Sequence, residues 1–108
     1  MAGIIKPNGM KFVSNNTGKS KRASIILAEL LKKREIDVCL LQEPYSYEGE
    51  IRYFDTFQKM FSESQIPKCA IILNQDIAAL KCLKDPCAVT AKIVTGGIEI
   101  AVASIYLQ

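Results

Sequence analysis

The sequence predicts an α/β fold in which a βαβ unit is followed by antiparallel strands and a closing hairpin. Three observations predict it. The apolar run Val38-Cys39-Leu40-Leu41 stops abruptly at Gln42-Glu43-Pro44; it is too short for a helix and reads as a strand buried on both faces. Ahead of it, Ala23, Ile26, Leu27, Leu30 and Leu31 recur at the i, i+3, i+4 spacing of an amphipathic helix. Behind it, two alternating runs flank Gly96-Gly97, the pair a two-residue hairpin turn with positive φ requires.

In chain order, residues 1–9 read as a lead-in, with Pro7-Asn8-Gly9 marking a turn. Met10 to Asn16 alternates as a strand and runs into the loop Asn15-Asn16-Thr17-Gly18. Gly18-Lys19-Ser20 is not a phosphate-binding loop, because Val13 occupies the position where that motif needs its first glycine. Ser20 is the expected N-cap of a helix ending at Lys33, and Lys32, Lys33 and Arg34 suit the negative end of its dipole. Strand, helix, strand implies that the strands ending at Asn16 and Glu43 run parallel. Ser46 to Gln65 shows no clear periodicity; Phe57 and Phe61 are expected in the core, whereas Tyr45 and Tyr47 could stack on a base or cover a groove. Lys68 to Asn74 reads as a buried strand and Ile77 to Leu83 as another, ending at Lys84-Asp85-Pro86. The hairpin strands are Cys87 to Thr95 and Ile98 to Leu107, in a register that sets Ile93 against Ile100 and Ala91 against Val102.

The chain has 108 residues, 49% of them hydrophobic and 23% charged, enough to bury a core as one small domain or part of a larger one. No apolar run approaches the roughly 20 residues of a membrane span, and no signal peptide is expected. The net charge of +3 permits nucleic-acid contact without arguing for it. Lys19, Lys21, Arg22, Lys32, Lys33 and Arg34 concentrate in one segment, as a solvated face or a nucleic-acid contact. The four cysteines have no C-x-x-C spacing, and Cys39 and Cys69 lie in apolar runs, so reduced thiols in an intracellular protein are expected rather than zinc ligands. There is no histidine, so no histidine base can come from this chain.

Two parallel strands share one C-terminal edge, where α/β proteins tend to place ligands and metals. Asn16 and Glu43 are expected to converge there. Pro44 biases Glu43 toward an extended backbone. Taken alone, Glu43 also reads as a loop cap or a partner for a lysine, Asn16 as a turn residue and Tyr106 as a core tyrosine.

Three blocks together resemble the endonuclease/exonuclease/phosphatase superfamily, and within it the apurinic-type endonuclease domains of non-LTR retrotransposons. Phe12-Val-Ser-Asn-Asn16 followed by Lys19-Ser-Lys-Arg-Ala-Ser and a helix is similar to the family's first strand, which ends in a catalytic asparagine. Ile36-Asp-Val-Cys-Leu-Leu-Gln-Glu43-Pro-Tyr is similar to its metal-ligand strand. Val89-Thr-Ala-Lys-Ile and Ile98-Glu-Ile-Ala-Val-Ala-Ser-Ile-Tyr106-Leu are similar to the strand pair that ends in an active-site tyrosine.

The resemblance implies a DNase I-like two-sheet α/β sandwich of which residues 10–108 form the N-terminal half, truncated at the C-terminus. It implies that Glu43 binds Mg²⁺ (or Mn²⁺), that Asn16 contacts the phosphate or orients a partner, and that Tyr106 contacts the phosphate or stabilises developing negative charge. Lys19, Lys21, Arg22 and Tyr45 would meet DNA. The expected partners are DNA and, in a full-length element, a reverse transcriptase domain of the same polyprotein. The setting would be intracellular, and nuclear for an active element. The family's later Asp-x-Asn and Ser-Asp-His motifs do not occur here, and Gly18 stands where some relatives carry an acid two residues after the asparagine. The expectation is therefore a fragment of a DNA-nicking endonuclease, inactive alone. The alternatives are a non-catalytic remnant that self-associates or binds DNA weakly, and a superfamily member acting on other phosphate esters.

Overall fold

The computed structural model describes residues 9–107, with side chains throughout except at positions 81–84; the lead-in up to residue 8 and the side chain of Cys82 lie outside what is described. Strand β1 (Phe12–Asn16) leads through helix α1 (Lys21–Lys33) to β2 (Val38–Gln42). Short strands β3 (Ser46–Tyr47) and β4 (Glu50–Ile51) follow, then β5 (Phe57–Phe61), β6 (Cys69–Asn74), β7 (Ala78–Asp85), β8 (Ala88–Thr95) and β9 (Ile98–Ile105). One sheet has the order β1-β2-β6-β5, a second the order β7-β8-β9, and β3-β4 is a separate two-stranded hairpin.

The first sheet is covered on both faces. Val13, Leu27, Ala28, Leu31, Cys39, Leu41, Ala70 and Ile72 form a core between the sheet and α1. Phe12, Val38, Cys69, Ile71, Leu73, Val89, Ala91, Ile93 and Val102 form the other, between the two sheets. Strand β6 alternates between these cores, with Ala70 and Ile72 on the helix side and Cys69, Ile71 and Leu73 on the sheet side. That is why it reads as an unbroken apolar run.

Ser20 caps α1, its Oγ accepting the Ala23 N–H at 3.0 Å. Leu27 and Leu31 of the expected stripe face inward, but the buried face is rotated from the one the periodicity selects. Ser24, Leu27, Ala28 and Leu31 are buried, whereas Ile26 is 59% exposed. An apolar stripe can be rotated by one position at little cost, and the small Ser24 and Ala28 allow the helix to lie close to the sheet. Burying Leu27 and Leu31 contributes roughly 1.5–3 kcal/mol each.

Strands β1 and β2 are parallel, with Phe12 opposite Val38 and Asn16 opposite Gln42, so their C-terminal ends lie level. Strand β6 runs antiparallel to β2, with Gln42 opposite Cys69. The hairpin has the expected register, Ile93 opposite Ile100 and Ala91 opposite Val102. Gly96 (φ +54) and Gly97 (φ +76) form its turn. Strand β7 spans Ala78–Asp85 rather than stopping at Leu83, with a register shift between Lys81 and Leu83. Strand β9 ends at Ile105, which leaves Tyr106 just beyond it.

Candidate active site at the sheet rim

Asn16 ends β1, and its side chain is oriented by its own loop. Its Oδ1 accepts the Gly18 N–H at 2.8 Å, which Gly18 permits by taking φ +58. With Oδ1 committed, Nδ2 carries the donors, and it donates to Glu43 Oε2 at 2.7 Å. The structure thus brings Asn16 and Glu43 into direct contact across the ends of two parallel strands.

Glu43 is not extended as the following proline suggests; its φ is +48. Its N–H continues the ladder to β6, donating to Lys68 O at 2.8 Å. Its carbonyl is turned the other way, accepting Thr17 Oγ1–H at 2.8 Å and Lys19 N–H at 2.7 Å. Only a left-handed residue lets one peptide face β6 while the next faces the Asn16 loop. That conformation costs a non-glycine residue on the order of 1–2 kcal/mol, which these three hydrogen bonds offset. Pro44, fully buried behind Glu43, closes off the strand.

Beneath this rim a polar bridge joins the two sheets. Ser104 of β9 is fully buried; its Oγ donates to Leu41 O at 2.9 Å and accepts the Gln42 side-chain amide at 3.2 Å. Cys69 Sγ meets Ser104 O at 3.3 Å. The bridge pins the end of β9 to the end of β2, so Tyr106, two residues on, emerges at the same end of the sandwich. Tyr106 is half-buried, and its N–H donates to Cys87 O at 2.8 Å. Lys68 Nζ lies 5.7 Å from the Tyr106 ring centroid.

The other sequence-predicted residues fall as follows. Lys19 lies in the loop between Asn16 and Ser20 with φ +59, and Lys21 and Arg22 are exposed in the first turn of α1. Tyr45 packs against Tyr53 at 5.9 Å between centroids. Tyr47 is exposed, with Arg52 5.4 Å from its ring centroid. Gln42, Thr17, Ser104 and Lys68 were missed by sequence reasoning. Ser104 carried a signal, since the hairpin register places it on the inward side among apolar residues.

Two of the thiols are core residues. Cys39 and Cys69 are fully buried. Burial pushes the Cys39 thiol up to about 12 and also raises that of Cys69. Among the described residues, no three acids, cysteines or histidines gather into a ligand cluster. The rim offers one carboxylate with a neutral amide beside it. This hard-oxygen donor fits Mg²⁺ or Mn²⁺, which take one or two protein carboxylates and complete their shell with water and phosphate. A cleft of about 570 Å³ lies elsewhere. Lys11, Glu35, Asp37, Phe57 and Asn74 line it, at the opposite end of the first sheet.

Two packed sheets with a helix on the outside of the first, and an Asn–carboxylate pair at the rim, make this an α/β sandwich of the DNase I-like class. Among solved structures, the chain is similar to the endonuclease domain of TRAS1, a telomere-specific non-LTR retrotransposon. The TM-score is 0.76 and the identity 25%, over 89% of this chain and 44% of that one. The chain therefore spans less than half the length of that domain. No family model matches the sequence, and no curated protein does.

Proposed function

We propose that this chain is the N-terminal portion of a divalent-metal-dependent DNA endonuclease domain and supplies one wall of its active site. The observation that carries the reading is the 2.7 Å contact between Asn16 Nδ2 and Glu43 Oε2 at the shared C-terminal edge of β1 and β2, in a fold similar to a retrotransposon endonuclease domain. Glu43 would hold the metal. When bound, the metal would supply Lewis-acid polarisation of a phosphodiester. Asn16 orients the carboxylate and keeps a neutral donor beside it, so no second charge competes for the cation. Tyr106, from the other sheet, offers a hydroxyl at the same end. Lys21 and Arg22 support an anionic partner. They sit at the positive end of the α1 dipole with no acid in the first turn, an arrangement unfavourable by about 0.3–1 kcal/mol per charge unless an anion is present. A chain without histidine lacks the usual means of activating water, so it is expected not to nick supercoiled plasmid by itself.

Titrating Mn²⁺ into the isotope-labelled chain tests the metal assignment. Paramagnetic broadening should centre on the amides of Thr17, Gly18 and Glu43 and vanish in Glu43→Gln. Broadening centred instead on Glu35 and Asp37, at the far cleft, would sink it.

A second reading, a non-catalytic self-associating module, draws on the second sheet. Val94, Ile98 and Ile105 are each about half exposed there, and β9 is an edge strand.

A further inference from the structure

We propose that Lys68 is a phosphate-contacting residue of the rim, built into the fold on the side of Glu43 opposite Asn16. The proposal rests on the DNA-phosphate reading above and adds a residue that no sequence motif marks. Glu43 and Lys68 are cross-strand neighbours: β2 and β6 pair Gln42 with Cys69, and the ladder extends one step through Glu43 N–H to Lys68 O at 2.8 Å.

The Lys68 backbone is held from both sides. Its N–H donates to the Oγ of buried Ser62 at 3.0 Å. Ser62 is itself tied to Cys69 through its N–H to Cys69 O at 3.0 Å. Buried Pro67 precedes it. Lys68 is thus anchored at the rim, unlike Lys21 and Arg22, which project from an exposed helical turn.

The side chain is also directed. Its ammonium lies 5.7 Å from the centroid of the Tyr106 ring, a cation–π distance. Lys68 comes from the first sheet and Tyr106 from the second, and the Ser104 bridge holds the two sheets in register beneath them. Lys68 is half-exposed, and the neutral ring beside its ammonium leaves it able to take an anion. The Glu43 carboxylate, meanwhile, takes its side-chain hydrogen bond from neutral Asn16. Carboxylate and ammonium therefore extend from neighbouring backbone positions, each engaged with a neutral partner: one is suited to a cation, the other to a phosphate oxygen that a cation at Glu43 would share. A phosphodiester spanning the two would be gripped from both ends.

Fluorescence anisotropy of a short labelled DNA duplex with the intact chain, measured over a series of salt concentrations, tests this. Lys68→Gln should weaken binding roughly tenfold at low salt and make the log–log salt slope shallower by about one, the signature of a single lost phosphate contact. Lys68→Arg should retain the wild-type slope. Lys92→Gln, an exposed lysine on β8 far along the second sheet, removes the same charge and should change the slope less. If Lys68→Gln binds as wild type does, or loses no more than Lys92→Gln, Lys68 is a surface cation and the proposal fails while DNA binding stands. If the wild-type chain does not bind the duplex even at the lowest salt, the DNA reading fails and the role of Lys68 with it.

Discussion

Glu43 carries the candidate site on a left-handed backbone, and its environment shows why a residue there is more than a strand terminus. Its peptide groups serve two elements at once, β6 through the N–H and the Asn16 loop through the carbonyl. The carboxylate is left for Asn16. A buried residue nearby gives a test of the packing underneath. Burial raises the Cys39 thiol from 9.0 to about 12. Below pH 9 both the folded and unfolded chain keep this proton, and ionisation takes nothing from stability. Above it the unfolded chain loses the proton while the folded chain holds it. Stability should therefore fall as pH rises from 9 toward 12, by up to about 1.4 kcal/mol per pH unit from this group. Urea denaturation across that range should show a shallower pH dependence for Cys39→Ala than for the wild type; equal dependence would mean that the thiol is hydrated. At this scale the sequence was informative about residue identity and poor on geometry. An abrupt Leu-Gln-Glu-Pro after an apolar run pointed to Glu43. The rule for residues before proline missed its φ, because the rule describes local sterics and three tertiary hydrogen bonds overrode them.

Elements with strong periodicity or turn chemistry were legible to within a residue or two, whereas those assembled by long-range contacts were not. The Gly96-Gly97 hairpin is local: two adjacent positive-φ residues fix the turn, and the turn fixes the register. The inward face of α1 is not local, since it depends on what the sheet presents to it. The stretch from Ser46 to Gln65 is harder still. Glu48 (φ +53) and Gly49 (φ +79) turn a miniature hairpin there, and Phe54 lies in a loop with its side chain fully buried. No helical or strand period marks such a residue, and the expectation rested on Phe57 and Phe61 instead. Phe57 is buried, but Phe61 only packs at the margin of the helix-side core. Phe54→Ala should accordingly cost about 3–5 kcal/mol, clearly more than Phe61→Ala. Chemical denaturation of the two variants measures the difference; the reverse order would mean that the loop collapses around the smaller side chain.

The whole molecule is covered unevenly, and that asymmetry separates its two readings. The first sheet is buried on both faces, by α1 on one side and by the second sheet on the other. The second sheet is buried only inward. On its outer face Val94 and Ile105 are about half exposed and Leu80 is 67% exposed; Ile98, beside the hairpin turn, is half exposed, and Leu107, beyond β9, is 84% exposed. Strand β9 lies at the sheet's edge, next to this face. An eight-residue edge strand beside an apolar surface is a template for further pairing. Lys92 and Glu99, exposed on this sheet, are of opposite sign and do little to repel a second copy. The chain should therefore associate with itself as its concentration rises. Ile105→Lys would place a charge on the outer face without touching either core, and should weaken association at least tenfold in sedimentation velocity while leaving the thermal midpoint near the wild-type value. A wild-type chain that stays monomeric throughout would remove the observation on which the self-association reading depends. Association abolished by Ile105→Lys, with Mn²⁺ broadening at Glu43 retained, would show that the rim and the outer face act independently. The metal-site reading then holds for the monomer, since Asn16, Glu43 and Lys68 all belong to the sheet that is already covered.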